Sequence, residues 1–352
     1  MTSAVRRRSQ LAPSGRLRAG APASLSFASI RAGLELMLLS RRLDVRAIAM
    51  QRLGRWGVHS PAEGQEAAVV GSCLAVDPAR DWLVPQYREL AACLHHGHPL
   101  ERLVAAQMGR PAAGRIPEGV RLLPVQVALA AQLPQAVGLA WGLRLQATDA
   151  VVLTYLGDGA SSEGDFHEAC NLAGVMRAPV VFLLQNNGWA ISTPRRLQSA
   201  APTLAIRALG YGFPGVVVDG NDLLAVHQAT LEAVARARRG DGPTLIEAQT
   251  YRLGFHNTTD DPGAYVDPDE LGAARRLDPI LRVRRYLTAH GEWDEEREQA
   301  ACRAIDARLD AAIAAAERLP LPGPAACFDH VYAEPPPRVE GQRARALAQG
   351  AG

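Results

Sequence analysis

The chain has 352 residues, enough for one large hydrophobic core or two modest ones. Its composition, 48% hydrophobic and 21% charged, is typical of an ordinary soluble globular protein. The net charge of +2 gives no argument for binding to nucleic acid or to a membrane, and no apolar run approaches transmembrane length. The sequence contains no lysine, so its positive charge comes from arginine.

Residues that commonly bind metals show no recognised ligand spacing. The five cysteines are scattered and odd in number, which favours free thiols in a reducing compartment. His95, His96 and His98 lie close together, but their pattern before Pro99 is more typical of a solvated helix end than of a metal site.

Residues 1–25 are rich in Arg, Ser, Ala and Gly, and the first acidic residue is Glu35. Both a mitochondrial transit peptide and a disordered bacterial tail have this composition. We favour the tail, with little order, and expect a bacterial cytoplasmic protein rather than one of the mitochondrial matrix. Apolar side chains at near-helical spacing over residues 28–54 then predict one or two amphipathic helices.

Between residues 57 and 147 the sequence predicts a helix start, a polar loop and an apolar helix. Residues 60–63 (SPAE) are typical of a helix start, with a cap, a proline and an early acid. The loop at residues 81–89 contains Tyr87 and Arg88, which by themselves indicate only an exposed arginine. Pro134 is expected to kink or restart the helix that follows Leu129.

The stretch from residue 151 to residue 193 organises the rest of the chain. Residues 151–156 and 180–184 are short apolar runs that end in turn residues, which favours strands of a buried parallel sheet. Between them, Ser161 or Ser162 is expected to cap an amphipathic helix. The order of strand, helix and strand predicts one βαβ unit.

Two polar residues follow these predicted strands. Asp158 lies at the end of the first strand and Asn187 just after the second, 29 residues later. Ligands of such units bind beyond the carboxyl ends of the strands, so both side chains should face one crevice. One carboxylate and one amide oxygen suit Mg²⁺, which takes its other ligands from water and substrate phosphates. The residues therefore predict a magnesium–diphosphate site, although residues 157–159 and residues 186–188 are each, taken alone, also consistent with a tight turn.

Strand and helix patterns continue to alternate toward the C-terminus. Residues 204–209 and 222–238 predict helices, and residues 216–218 and 244–250 predict strands, giving a parallel sheet of at least four strands. Residues 278–290 and 294–319 predict further helices. The predicted organisation is a basic disordered tail (1–25), one α/β domain with helical extensions at both ends (26–320) and an extended or disordered tail (321–352).

The sequence GDGASSEGDFHEACNLAGV…APVVFLLQNNGWAIS resembles the thiamine diphosphate motif, which begins with GDG and ends with NN. It is similar to the alpha subunit of the two-subunit 2-oxo acid dehydrogenases, the decarboxylating first component of the pyruvate and branched-chain complexes. Supporting similarity extends from about residue 54 to residue 265. The resemblance implies the thiamine diphosphate-binding fold, a mostly parallel sheet flanked by helices.

The resemblance also implies roles for individual residues. Mg²⁺ would be held by the side chains of Asp158 and Asn187 and by the backbone carbonyl of Trp189. His256, in the polar loop at residues 251–265, would face the reacting carbon as the catalytic histidine. The cofactor-binding residues would be Tyr87, Arg88, Leu129, Gly157, Gly159, Ala160, Asn187 and His256.

Four positions depart from patterns found in some relatives. Gln185 stands where some carry a phosphate-binding arginine, which puts more weight on Arg88. Gln126 and Ala131 stand where hydroxyl side chains build a potassium site, so a potassium ion is doubtful. Asn257 replaces the serine at which mammalian relatives are phosphorylated.

The implied reaction is decarboxylation of a small 2-oxo acid, with the acyl group passed to a lipoyl group on a dihydrolipoamide acyltransferase. A required glutamate comes from the beta subunit in this family, so we expect a heterotetramer of two alpha and two beta chains and no activity from this chain alone. The Gln86–Glu89 segment and the His256 loop favour branched-chain 2-oxo acids. Pyruvate is the alternative substrate, and acetoin cleavage is a smaller possibility.

Three other interpretations are less consistent with the sequence. A self-sufficient thiamine enzyme of the transketolase kind needs a second α/β domain, for which 352 residues leave little room. A magnesium-dependent phosphatase or nucleotide-binding protein could use Asp158, but the sequence has no glycine-rich lysine loop. A degenerate, non-enzymatic subunit is disfavoured because Arg88, Asp158, Asn187 and His256 are all present.

Overall fold

A computed structural model describes residues 7–20, 25–329 and 331–349. In chain order, the α-helices of this described part are α1 Phe27–Arg52, α2 Glu66–Cys73, α3 Leu90–His95, α4 Leu100–Gln107, α5 Gln132–Leu145, α6 Gly164–Met176, α7 Arg195–Gln198, α8 Leu223–Arg238, α9 Pro268–Arg275, α10 Pro279–Ala289, α11 Glu295–Glu317 and α12 Pro337–Gln349. The strands are β1 Trp82–Val84, β2 Val152–Gly157, β3 Val180–Asn186, β4 Trp189–Ala190, β5 Thr193–Pro194, β6 Gly215–Asp219 and β7 Thr244–Gln249. Within these ranges every helix is too short or too polar to cross a lipid bilayer.

A five-stranded sheet forms the centre of the fold, with the strand order β1-β2-β3-β7-β6. All four neighbouring pairs in this sheet are parallel. The predicted parallel α/β sheet is confirmed, and β1 adds a strand that the sequence analysis assigned to a loop. Strands β4 and β5 form a separate antiparallel pair.

Alternate residues of each strand pack on opposite faces of the sheet, as the two-residue period of a strand requires. In β2, Leu153 and Tyr155 belong to a core shared with α1, α2, α8, α10 and α11. Val152 and Leu156 belong to a second core, shared with α5 and α6. The sheet is therefore covered by helices on both faces.

Two helices begin later than the sequence predicts. Helix α2 starts at Glu66 instead of at residues 60–63, and Gln65 is the residue that precedes it. After β2 the chain first forms a 3₁₀ turn, Gly159–Ser162, and α6 begins only at Gly164. The Ser161 hydroxyl donates to the carbonyl oxygen of Asp158 at 2.6 Å, so it stabilises this turn instead of capping the helix.

The N-terminal segment differs from the expected disordered tail. Residues 1–6 and 21–24 lie outside the described residues, but in residues 7–20 Arg8 pairs with Val218 of β6, and Gln10, Leu11 and Gly15 are buried. Leu11 is 1% exposed, and the Asp222 carboxylate accepts the backbone N–H groups of Gln10 and Leu11 at 2.6 Å. The Arg8 N–H also donates to the Val217 carbonyl at 2.9 Å, so backbone pairing holds a segment whose composition resembles a tail.

The C-terminal tail contains α12, which was expected to be extended or disordered. This helix has no buried residue, and residues 330 and 350–352 lie outside the described part. The division of the chain at residues 25 and 320 stays a prediction.

Candidate active site

The carboxyl ends of four neighbouring strands, β1, β2, β3 and β7, lead into loops at one edge of the sheet. A cleft of about 510 Å³ lies among the loops that follow β1, β2 and β3, with His256 of the loop after β7 in its wall. Every predicted site residue lines this cleft: Tyr87, Arg88, Leu129, Gly157, Asp158, Gly159, Ala160, Asn187, Trp189 and His256.

Asp158 follows β2 directly and is 1% exposed. Burial raises the pKa of its carboxyl above the ordinary value, while a hydrogen bond from Gln198 opposes this rise. Gln198 donates through Nε2 to Asp158 Oδ2 at 2.7 Å. The folded chain therefore holds a desolvated carboxylate at the cleft wall, which a bound cation would stabilise.

The two asparagines after the second strand have different roles. Asn186 ends β3 and donates to the buried carboxylate of Glu247 at 2.7 Å. Asn187 lines the cleft, accepts the Trp189 N–H through Oδ1 at 3.1 Å and donates through Nδ2 to Gln65 at 3.1 Å. Only the second asparagine of the pair is thus placed to meet a ligand in the cleft.

Two glycines allow the loops around Asp158 and Asn187 to adopt their conformations. A Cβ atom at Gly159 would lie 2.8 Å from the Cβ of Ala190, so these two loops approach each other too closely for a side chain. Gly188 has a φ of +87°, in the left-handed region that favours glycine.

Arg88 and His256 come together from loops that are far apart in the sequence. Arg88 is 7% exposed and donates through Nη2 to both the carbonyl oxygen and Nδ1 of His256, each at 3.0 Å. Its Nη1 donates to the Pro61 carbonyl at 2.5 Å. The Tyr87 and His256 rings are nearly perpendicular, with 6.4 Å between their centroids.

Three observations indicate that the residues of the cleft suit a magnesium–diphosphate ligand. Its donor set combines a carboxylate with amide oxygen, and hard oxygen ligands suit Mg²⁺. A Cβ atom added to Gly157 would meet no heavy atom within 4 Å, which leaves room for a ligand close to the backbone. Finally, three buried glutamines that line the cleft each keep one amide atom without a hydrogen bond: Gln65 Nε2, Gln86 Nε2 and Gln185 Oε1. Among the described residues no three His, Cys, Asp or Glu side chains form a metal cluster, so a metal here would depend on a bound ligand for part of its coordination.

Comparisons with known proteins identify the family. The family model described as "Dehydrogenase E1 component" matches residues 34–325. The chain belongs to this family. It is 42% identical over 310 residues to the pyruvate dehydrogenase E1 component subunit alpha of Staphylococcus epidermidis, covering 88% of this chain and 84% of that protein. It is 43% identical over 285 residues to the protein of the same name from Staphylococcus aureus (strain Mu50), covering 81% and 77%.

The chain is therefore an alpha subunit of a thiamine diphosphate-dependent 2-oxo acid dehydrogenase E1 component, as the motif indicated. The family implies thiamine diphosphate as the cofactor. It also implies a beta subunit and an acyltransferase as partners.

The electrostatics of His256 in this E1 alpha chain follow from its neighbours. Burial and the charges of Arg88 and Arg252 lower its pKa to about 4, against a weaker opposing effect of Asp260. The Asp260 carboxylate accepts the His256 N–H at 2.7 Å and the Tyr265 hydroxyl at 2.5 Å. The imidazole is therefore neutral at pH 7, and its loop is held by hydrogen bonds.

Sequence reasoning missed a group of polar residues that supports the cleft. Glu89 is 1% exposed, and its carboxylate accepts the N–H groups of Gln86 and Arg88 at 2.9 and 3.2 Å as well as the side chain of Gln185. Gln86 in turn accepts the Gly157 N–H at 3.2 Å. The proximity of Gln86 and Glu89 to Arg88 was a usable signal, whereas Gln65 is distant in sequence and carries none.

Proposed function

We propose that the cleft binds thiamine diphosphate through Mg²⁺ and that the chain is the alpha subunit of a pyruvate dehydrogenase. The observation that carries this proposal is the position of Asp158 and Asn187 after neighbouring parallel strands, in one cleft with Arg88 and His256. In this arrangement Asp158 and Asn187 would hold Mg²⁺ through their side-chain oxygens, together with the backbone carbonyl of Trp189. Backbone N–H groups at Gly159 and Ala160, at the start of a helical turn, are suited to the diphosphate.

The rest of the cleft provides charge and shape for the cofactor. The planar Arg88 guanidinium is suited to phosphate oxygens, and its hydrogen bonds to Pro61 and His256 fix its orientation before a ligand binds. Leu129 and Tyr87 provide the apolar wall expected next to the central part of the cofactor, and Gly157 leaves space beside it.

His256 is proposed to act at the reacting centre as a neutral imidazole. Because Nδ1 accepts a hydrogen bond from Arg88, the ring proton belongs on Nε2, which can donate to an oxygen that gains negative charge. Bound thiamine diphosphate supplies the nucleophilic carbon and the electron sink for decarboxylation. The chain contributes cofactor position, charge and a proton donor.

Pyruvate is the favoured substrate because the curated relatives at 42% and 43% identity are named pyruvate dehydrogenase subunits. This similarity outweighs the preference for branched-chain acids that we drew from the Gln86–Glu89 segment and the His256 loop. The proposed partners are a beta subunit, in a heterotetramer of two alpha and two beta chains, and a lipoyl-bearing acyltransferase.

The test is an assay of this chain co-expressed with a beta subunit of the same family, with thiamine diphosphate, Mg²⁺ and a dye acceptor. Pyruvate, 3-methyl-2-oxobutanoate and acetoin are compared. We expect the highest kcat/KM for pyruvate and no turnover by the chain alone. A higher kcat/KM for 3-methyl-2-oxobutanoate would instead support the branched-chain assignment. Calorimetry with thiamine diphosphate against ATP separates the E1 site from a nucleotide site, and tighter binding of ATP would contradict the proposal.

A further inference from the structure

Gln65 lies in the wall of the cleft, with no exposed surface. Its backbone is fixed by the start of helix α2, because its carbonyl accepts the N–H groups of Ala68 and Val69 at 3.1 and 3.2 Å and its own N–H donates to Ala62 at 2.8 Å. A side chain that begins from such a fixed backbone has few conformations in which it can reach the opposite loop. Gln65 nonetheless contacts Asn187, 122 positions away.

The hydrogen bonds around Asn187 determine which way both amides point. The Trp189 backbone N–H can only donate, so the Asn187 atom that it contacts at 3.1 Å is the oxygen, Oδ1. Asn187 Nδ2 therefore faces Gln65, which must present its own oxygen, Oε1, at 3.1 Å. This leaves Gln65 Nε2 as a buried donor with no partner in the described part of the chain.

The backbone of Asn187 is held as well. Its carbonyl accepts the Arg252 N–H at 3.1 Å, and Gly188 with its positive φ fixes the turn that follows. The position of Asn187 is thus determined at its backbone by the Arg252 loop and at its side chain by Gln65. No other described side chain contacts Asn187 Nδ2 by a hydrogen bond.

We propose that Gln65 is a positioning residue for the metal site: it holds the Asn187 amide in the one orientation that keeps Oδ1 available to a divalent cation. This inference rests on the proposed function of the cleft. Mg²⁺ requires near-ideal octahedral geometry whereas Ca²⁺ tolerates irregular geometry, so the contribution of Gln65 should be larger for Mg²⁺.

The experiment uses the complete complex of alpha and beta subunits with thiamine diphosphate present. In Gln65→Asn the amide chemistry is kept but the side chain is one methylene too short to reach Asn187. In Gln65→Glu the oxygen that accepts from Nδ2 is kept. The matched control is Gln10→Asn, because Gln10 is also a buried glutamine with an unpartnered amide atom but lies on the N-terminal segment. Dissociation constants for Mg²⁺ and for Ca²⁺ are measured by calorimetry and by intrinsic tryptophan fluorescence.

We expect Gln65→Asn to raise the Kd for Mg²⁺ about tenfold and the Kd for Ca²⁺ by less than about threefold. Gln65→Glu and Gln10→Asn should stay within about threefold of the unmodified complex for Mg²⁺. If Gln65→Asn does not unfold cooperatively, Gln65→Leu carries the same expectation, because the leucine side chain has no hydrogen-bond acceptor.

Failure of the positioning role and failure of the proposed function give different results. If the unmodified complex binds Mg²⁺ with thiamine diphosphate and Gln65→Asn leaves the Mg²⁺ affinity within twofold, or weakens both cations equally, the positioning role is wrong and the proposed function stands. If the unmodified complex does not bind Mg²⁺ and thiamine diphosphate, the proposed function itself is wrong.

Discussion

Arg88 donates to both the ring nitrogen Nδ1 and the carbonyl oxygen of His256, at 3.0 Å each. One guanidinium nitrogen therefore fixes the tautomer of the imidazole and the backbone that carries it. Burial, followed by the positive charges of Arg88 and Arg252, lowers the pKa of His256 to about 4. The residue proposed to bind phosphate thus also contributes to lowering the pKa of the proposed catalytic residue.

The first prediction concerns the pH dependence of His256. Only the neutral imidazole reacts with diethyl pyrocarbonate. As the pH is lowered, the rate of modification of His256, measured by mass spectrometry of its peptide, should therefore fall with a midpoint near pH 4. A midpoint near the ordinary value of about 6.5 would contradict the assigned environment. Because the pKa of the folded chain is the lower one, His256 favours unfolding progressively as the pH falls from about 6.5 to 4.

The second prediction separates the charge of Arg88 from its geometry. Arg88→Lys keeps a positive charge but cannot contact Pro61 and His256 together, so thiamine diphosphate affinity should fall about tenfold while the pKa of His256 stays lowered. Arg88→Gln removes the charge, and the midpoint of His256 modification should rise. The control is Arg239→Lys, at an exposed arginine that pairs with Asp241. Equal midpoints in both Arg88 variants would show that its charge does not act on His256.

The third prediction is a conflict between stability and function at Asp158. Burial raises its pKa, so at pH 7 the ionised carboxylate is less favourable in the folded than in the unfolded chain. Asp158→Asn removes this cost and keeps an oxygen that accepts from Gln198. The melting temperature without ligand should be unchanged or higher, and the increase caused by Mg²⁺ and thiamine diphosphate should disappear.

Calorimetric scans of the complex with and without ligands test this, with Asp149→Asn as the control at an exposed aspartate. An Asp158→Asn complex that melts lower without ligand but is stabilised normally by Mg²⁺ would reverse both expectations.

The fourth prediction tests the close approach of the two loops. Gly159→Ala would place a Cβ atom 2.8 Å from the Cβ of Ala190, which must move one of the loops. Thiamine diphosphate affinity should fall roughly tenfold, because a displacement of about 1 Å in a positioned site has effects of about this size or larger. The double variant Gly159→Ala/Ala190→Gly should recover most of the affinity. If the double variant is no better than Gly159→Ala, the contact with Ala190 is not the cause.

The fifth prediction concerns the N-terminal segment. Leu11 is 1% exposed within the larger core, so Leu11→Ala should lower the free energy of unfolding by about 2–4 kcal/mol. Leu17 lies on the same segment but is 37% exposed, and Leu17→Ala should cost less than about 1 kcal/mol. Urea unfolding measures both. Equal small effects would mean that residues 7–20 do not contribute to the core.

The sequence predicted the elements whose signal is local. Strands β2, β3, β6 and β7 are apolar runs bounded by turn residues, and Asp222 caps α8 by accepting the Ala225 N–H at 3.1 Å. Strand β1 has only three residues, too few to show a period. The side-by-side arrangement of β1, β2, β3 and β7 depends on contacts between distant residues, which no local pattern contains.

The same distinction applies to the cleft. Asp158 and Asn187 could be placed because each follows a recognisable strand, and the wider family resemblance supplied Arg88 and His256. The roles of Glu89, Gln65 and Gln198 depend on partners 96, 122 and 40 positions away, respectively. The burial of Leu11 could not be predicted from the sequence either, because a segment rich in Arg, Ser and Gly shows no apolar periodicity.

The hydrogen bonds between Arg88 and His256 join the loop after β1 to the loop after β7. Strands β1 and β7 flank the pair β2 and β3, and the loops after the two outer strands meet through this contact above the inner two. The loops after β1 and β7 are therefore directly linked, so a ligand that binds to either loop also restricts the motion of the other.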